Sequence, residues 1–147
     1  MSTIHASAVL VGPRAMLIRG PSGSGKSRLA LALIEAAAAG RLPFARLVGD
    51  DRVFVEAVHE RLLVRPAETL AGLIEVRGLG IRRLAYEPVA AVGWVVDLAA
   101  EDAERLPSVA LSARSATLAS VTLPRFAISS CADPLPMLLA AIRTNAS

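Results

Sequence analysis

Several things are scarce in this chain, and each scarcity excludes something. Among 147 residues Cys131 is the only cysteine, so no intrachain disulfide can form and a reducing, cytoplasmic setting is expected. Aromatic residues make up 3% of the chain, and basic residues are scattered rather than striped. A surface for nucleic acid wants stacking aromatics or a basic patch, so no nucleic-acid partner is expected. Apolar residues reach 54%, but charges and prolines break them, and no uninterrupted run is long enough to cross a membrane. The start, Met1-Ser2-Thr3-Ile4-His5, lacks the charged beginning and long apolar stretch of a signal peptide. No internal repeat or linker is visible. The nearest thing to low complexity is the alanine run from Ala36 to Ala39. What remains is one domain over residues 1–147, large enough to bury a core, with a net charge of +3 that suits a site for nucleotide phosphates.

What is present is concentrated first in eight residues, Gly20-Pro21-Ser22-Gly23-Ser24-Gly25-Lys26-Ser27. They fit the phosphate-binding loop pattern G-x-x-x-x-G-K-[ST] without a gap. The apolar run from Ala15 to Ile18 before them reads as a buried strand, and Arg28 to Ala39 after them reads as a helix. Glycines let backbone N–H groups turn inward around phosphate oxygens, and the helix aims its positive end at the same anion. Lys26 can reach the β- and γ-phosphates, and the Ser27 hydroxyl can bind Mg²⁺.

The remaining pattern is α/β. Strands are expected at 8–11 and 15–19, joined at Gly12-Pro13, and a largely buried helix at 26–39, with Gly40 as its C-terminal cap. A strand at 45–49 ends in Asp50-Asp51. A half-buried strand at 52–58 turns near His59-Glu60 and returns through 61–65. Residues 66–73 read as a loop or short helix, 89–98 as an apolar strand, and 117–129 as one or two strands broken at Pro124. A final helix spans 133–144, with Asp133 as N-cap and Pro134 at its first position.

Two further groups carry chemistry. An adjacent carboxylate pair at the C-terminal end of a strand, such as Asp50-Asp51, lies where open α/β sheets bind ligands. One member can hold Mg²⁺ and another can accept a proton from an attacking hydroxyl; the plain alternative is an Asp-rich turn. The stretch Ile74-Glu75-Val76-Arg77-Gly78-Leu79-Gly80-Ile81 places Glu75 and Arg77 on one side if it is extended. They could serve metal and phosphate, or form a surface ion pair beside a turn.

In order, a His, a phosphate loop, Asp-Asp and E-[IV]-R-G-L-G-I resemble the HPr kinase/phosphorylase family, bacterial enzymes that phosphorylate a serine of the phosphocarrier protein HPr. The last motif is that family's signature. The resemblance covers the catalytic domain from about His5 to Phe126, without the family's N-terminal regulatory domain. It implies a P-loop kinase domain of the HPr kinase/phosphoenolpyruvate carboxykinase-like kind, with a mixed sheet and a P-loop helix. It also implies ATP and Mg²⁺ as cofactors, an HPr-type phosphocarrier as partner, and leaves a homo-oligomer open. Residue by residue, His5 resembles the active-site His, and Gly20 to Ser27 the nucleotide loop, with Lys26 on phosphate and Ser27 on Mg²⁺. Asp51 resembles the general base, Asp50 its acidic neighbour, and Glu75 the second Mg²⁺ ligand. Arg77 and Gly78 continue the signature beside the nucleotide, and Arg105 stands in a position similar to a catalytic Arg.

The chain also departs from that family. Its basic, glycine-containing loop near the C-terminus, which supports dephosphorylation, is replaced by residues 124–133, and the C-terminal helix that helps dock HPr is shorter. The expectation is a serine kinase with weak phosphorylase activity at most. A small-metabolite P-loop kinase and a nucleotide-binding regulatory module without transfer activity are the other readings. The signature at Glu75 to Ile81 argues against the first of these, and only an assay separates the second.

Overall fold

The computed structural model describes residues 3–103 and 114–143. Ten strands and two α-helices follow one another along these residues: β1 (Thr3–Val11), β2 (Arg14–Arg19), α1 (Lys26–Ala38), β3 (Ala45–Gly49), β4 (Arg52–Val58), β5 (Arg61–Pro66), β6 (Leu73–Val76), β7 (Gly80–Arg83), β8 (Ala90–Asp97), β9 (Ser115–Leu118), β10 (Val121–Ala127) and α2 (Pro134–Arg143). The expected α/β class and mixed sheet are both present. The main sheet has the order β2-β1-β4-β5-β8-β10-β9, and β3 also pairs with β1. β2 pairs in parallel with β8, which brings the far part of that order back against its start, so the sheet curls round on itself.

Strand alternation splits the apolar residues between two cores. On β1 and β2, Ala6, Ala8, Ala15 and Leu17 point into one core with Val48, Val53, Leu62 and Val95. Val9, Val11, Met16 and Ile18 point into the other, which α1 covers with Leu29 and Leu33 and α2 with Leu138 and Leu139. Asp133 caps α2, with its Oδ1 accepting from the Leu135 N–H at 3.2 Å.

Three expectations need correction. β1 begins at Thr3, five residues before the expected start, because His5 and Ile4 pair with Arg52 and Val53 of β4. The stretch 74–81 is a β6–β7 hairpin rather than one extended segment, so Arg77 sits in its turn, where the Leu79 N–H reaches the Val76 carbonyl at 2.9 Å. The break between the late strands falls at Ala119-Ser120, both in the left-handed region, and not at Pro124. Pro124 lies where β10 passes from pairing with β9 to pairing with β8, a position that tolerates its missing N–H.

Candidate active site: a phosphate loop facing an acidic corner

β2 ends at Arg19, and the chain turns through residues 20–25 into α1. Gly25 precedes the helix at φ 99°, a left-handed conformation that costs glycine little. A Cβ on Gly20 would lie 2.5 Å from the Ser24 Oγ, so only glycine fits there. Lys26 Nζ donates to the carbonyls of Gly20 at 2.8 Å and Pro21 at 3.2 Å, which ties the loop closed over its own first residues.

Beneath the loop is Asp50, at the end of β3 and only 4% exposed. A buried carboxylate needs donors, and it has three sources of them. Ser27 Oγ donates to both its oxygens at 2.8 Å, the Ser7 hydroxyl to Oδ1 at 2.6 Å, and the Glu75 backbone N–H to Oδ2 at 3.3 Å. Asp50 therefore joins the loop helix, β1 and the hairpin at one point. A serine hydroxyl has one proton and two lone pairs, so Ser27, whose proton points to Asp50, keeps lone pairs for a cation.

Asp51 follows at φ 69°, a conformation uncommon outside glycine and one that clusters at functional sites. The turn swings its side chain outward, and it lines an open cavity of about 560 Å³. Lys26, Ser27 and Arg28 form one wall of that cavity, and Glu75 and Arg77 another. Of the residues singled out from sequence, the fold thus brings Ser22, Gly23, Gly25, Lys26, Ser27, Asp51, Glu75 and Arg77 to one cavity. Gly20 and Pro21 serve through their carbonyls, Ser24 through the loop turn, and Asp50 from below. Gly78 lies in the hairpin turn at φ 86°. His5 is exposed, on the β1 register position opposite Arg52, and its Nε2 lies 3.2 Å from Arg52 Nη2. The Ala6 N–H bonds the Asp51 carbonyl, so His5 stands beside the acidic corner rather than in the cavity wall. Arg105 lies outside the described residues.

Sequence reasoning missed two groups. Ser7 is fully buried in an otherwise apolar strand segment, two residues after His5; a lone hydroxyl there was the available signal. The second is an ion cluster at the C-terminal ends of β2, β8 and β10. Asp97 accepts from Arg19 Nε at 2.8 Å, Arg19 Nη2 at 2.9 Å and Arg125 Nε at 2.5 Å. Arg125 also grips Asp102 with two bonds at 2.8 and 2.9 Å. Burial raises the Asp97 pKa, but the arginine bonds outweigh it and hold the carboxyl below its ordinary value. Since Arg19 directly precedes Gly20, this cluster pins the strand from which the phosphate loop springs.

Residues 1–85 match the family model of the HPr serine kinase C-terminal domain, more than half of the chain. The chain belongs to that family. HPr kinase/phosphorylase of Streptococcus thermophilus is 42% identical over 81 residues, covering 54% of this chain and 24% of its own length. HPr kinase/phosphorylase of Clostridium beijerinckii is 40% identical over 78 residues, again covering 24% of its length. The chain thus matches about a quarter of each of these relatives. The Hpr(Ser) kinase/phosphatase from Coxiella burnetii has the same fold, with a TM-score of 0.77 and 22% identity over 97% of this chain and 95% of that one. The HPr serine kinase match ends just past the β6–β7 hairpin, so the loop, the Asp pair and the signature all fall inside it.

Proposed function

We propose that this protein is an ATP-dependent serine kinase acting on an HPr-type phosphocarrier protein. The observation that carries the reading is the single cavity on which the phosphate loop, Asp51, Glu75 and Arg77 converge. ATP's phosphates fit the loop, where backbone N–H groups and the α1 N-terminus oppose their charge. Lys26 and Arg28 add positive charge to oppose the negative charge of the phosphates during transfer. Asp51, exposed on the cavity and aimed outward by its left-handed backbone, is the base that takes the serine proton as the phosphoryl group leaves ATP. His5 stands next to Asp51, whose carbonyl accepts from the N–H of Ala6, the residue after His5.

The donor set fits Mg²⁺. That ion is held by one or two carboxylates together with substrate phosphates, and needs no all-protein cage. The Ser27 hydroxyl, with the Glu75 carboxylate on the same cavity, offers such a set. When bound, the ion neutralises phosphate charge. Ser27 would hold it, and Asp50 would fix Ser27 by taking its proton.

The reverse reaction needs a cationic pocket for inorganic phosphate. Arg125 is the one basic residue within 124–133, and both Asp97 and Asp102 already engage it. Phosphorylase activity is therefore weak at most. The single cysteine favours a cytoplasmic protein and the scattered basic residues favour no nucleic-acid partner, and no described helix is long and apolar enough to cross a membrane. The test is to incubate the protein with labelled ATP, Mg²⁺ and purified HPr. Label on an HPr serine is expected. ATP binding without any label on HPr would favour a regulatory nucleotide-binding module instead.

A further inference from the structure

The β6–β7 hairpin has an inner strand and an outer strand of opposite character. On β6, Ile74 is buried in the core and the Glu75 backbone N–H is bonded to Asp50. All of β7 is exposed. Leu79 in the turn is 63% exposed and Ile81 is 62% exposed, the two highest values among the exposed large apolar residues. Arg77, Arg82 and Arg83 surround them, all exposed, and none forms an ion pair among the described residues.

Register decides which way this surface faces. Glu75 lies directly opposite Ile81, and Leu73 opposite Arg83. Residues opposite each other in an antiparallel pair share a face. Ile81 and Arg83 therefore share the face that carries Glu75, and the same hairpin lends Glu75, Val76 and Arg77 to the cavity lining. One hairpin thus carries both residues of the cavity lining and, beyond them, an apolar and basic surface.

Resting on the kinase reading above, we infer that Leu79, Ile81 and Arg83 form the docking platform for the protein that delivers the acceptor serine, and that its matching surface is an apolar side chain flanked by carboxylates. Neither aliphatic side chain lines the cavity assigned to the nucleotide's phosphates. A second copy meeting this face by two-fold symmetry would set its own arginines against Arg77, Arg82 and Arg83, and like charges so placed repel. An acidic partner satisfies both the apolar pair and the unpaired guanidinium groups, and an apolar anchor within a charged rim is how protein interfaces concentrate their affinity.

The test uses the full chain with HPr as the probe. Two variants, Leu79→Ser/Ile81→Ser and Arg83→Glu, change only exposed side chains. Each should raise the KM for HPr about tenfold or more, while ATP affinity stays within about twofold of the parent. For Arg83→Glu the loss should shrink at high salt. If the parent phosphorylates HPr and both variants keep its KM, the platform is wrong and the kinase reading stands. If sedimentation shows that the parent is an oligomer which the Leu79/Ile81 variant dissociates, a second copy covers the face and the inference also falls. A parent that binds ATP yet never labels HPr removes the kinase reading and the inference with it.

Discussion

Removing the Asp97 carboxylate should loosen the protein at the root of its phosphate loop. Asp97 is 15% exposed and takes three charge-assisted bonds from Arg19 and Arg125, whose side chains are 33% and 13% exposed. Breaking a buried ion pair by deleting one partner costs about 3–5 kcal/mol when the other is left uncompensated. Here Arg125 retains Asp102, and Arg19 reaches water, so about 2–3 kcal/mol is expected for Asp97→Ala. Urea unfolding at pH 7 measures this directly. The same carboxyl predicts a pH dependence. Its pKa is lowered in the folded state, so its contribution is full above the unfolded value of about 3.9 and is lost as pH falls through the lower folded value. The stability gap between parent and Asp97→Ala should therefore be constant near neutrality and narrow below about pH 4. A gap under about 1 kcal/mol at pH 7, or one that widens on acidification, would refute the role assigned to this cluster.

Other expectations concern the cavity. Lys26→Ala should weaken ATP binding by roughly 2 kcal/mol or more, since a charge-assisted contact is lost; calorimetry with unchanged affinity and an intact fold would contradict it. Asp51→Asn keeps the side chain's shape and loses its capacity to take a proton, so ATP binding should persist while labelling of HPr stops. Near-parental labelling would remove Asp51 as the base. Ser7→Ala deletes a buried donor to Asp50 and should cost about 1–2 kcal/mol of stability. Its transfer rate should fall because Ser27 is then held by a less constrained carboxylate; an unchanged rate would make Ser7 purely a packing residue.

The parts of the site that could be read in the sequence are those whose geometry is local. The loop from Gly20 to Ser27 depends on glycines and on a helix that starts within it, and both are written in consecutive residues. Asp50-Asp51 was legible for the same reason, since a strand end and its two side chains are neighbours in the chain. Ser7 was not legible, because its role depends on Asp50, 43 positions away. The Arg19–Asp97–Arg125 cluster was illegible for a like reason: it needs β2, β8 and β10 to lie side by side, and no local pattern states which strands pair in parallel.

The hairpin shows a subtler limit. Read as a string, Ile74 to Ile81 carries apolar residues at both ends and looks equally suited to a core on either side. Gly78 and Gly80 both take positive φ and fold the stretch back, which sends Ile74 inward and leaves Ile81 in water. Two isoleucines in one short motif thus have opposite surroundings. Hydrophobicity alone assigns them the same fate; the turn between them decides which one packs the core and which one stays in water. A kinase whose acceptor is a protein needs that second surface as much as it needs the phosphate loop, since aligning an attacking hydroxyl within a bond's reach of ATP depends on holding the body that carries it.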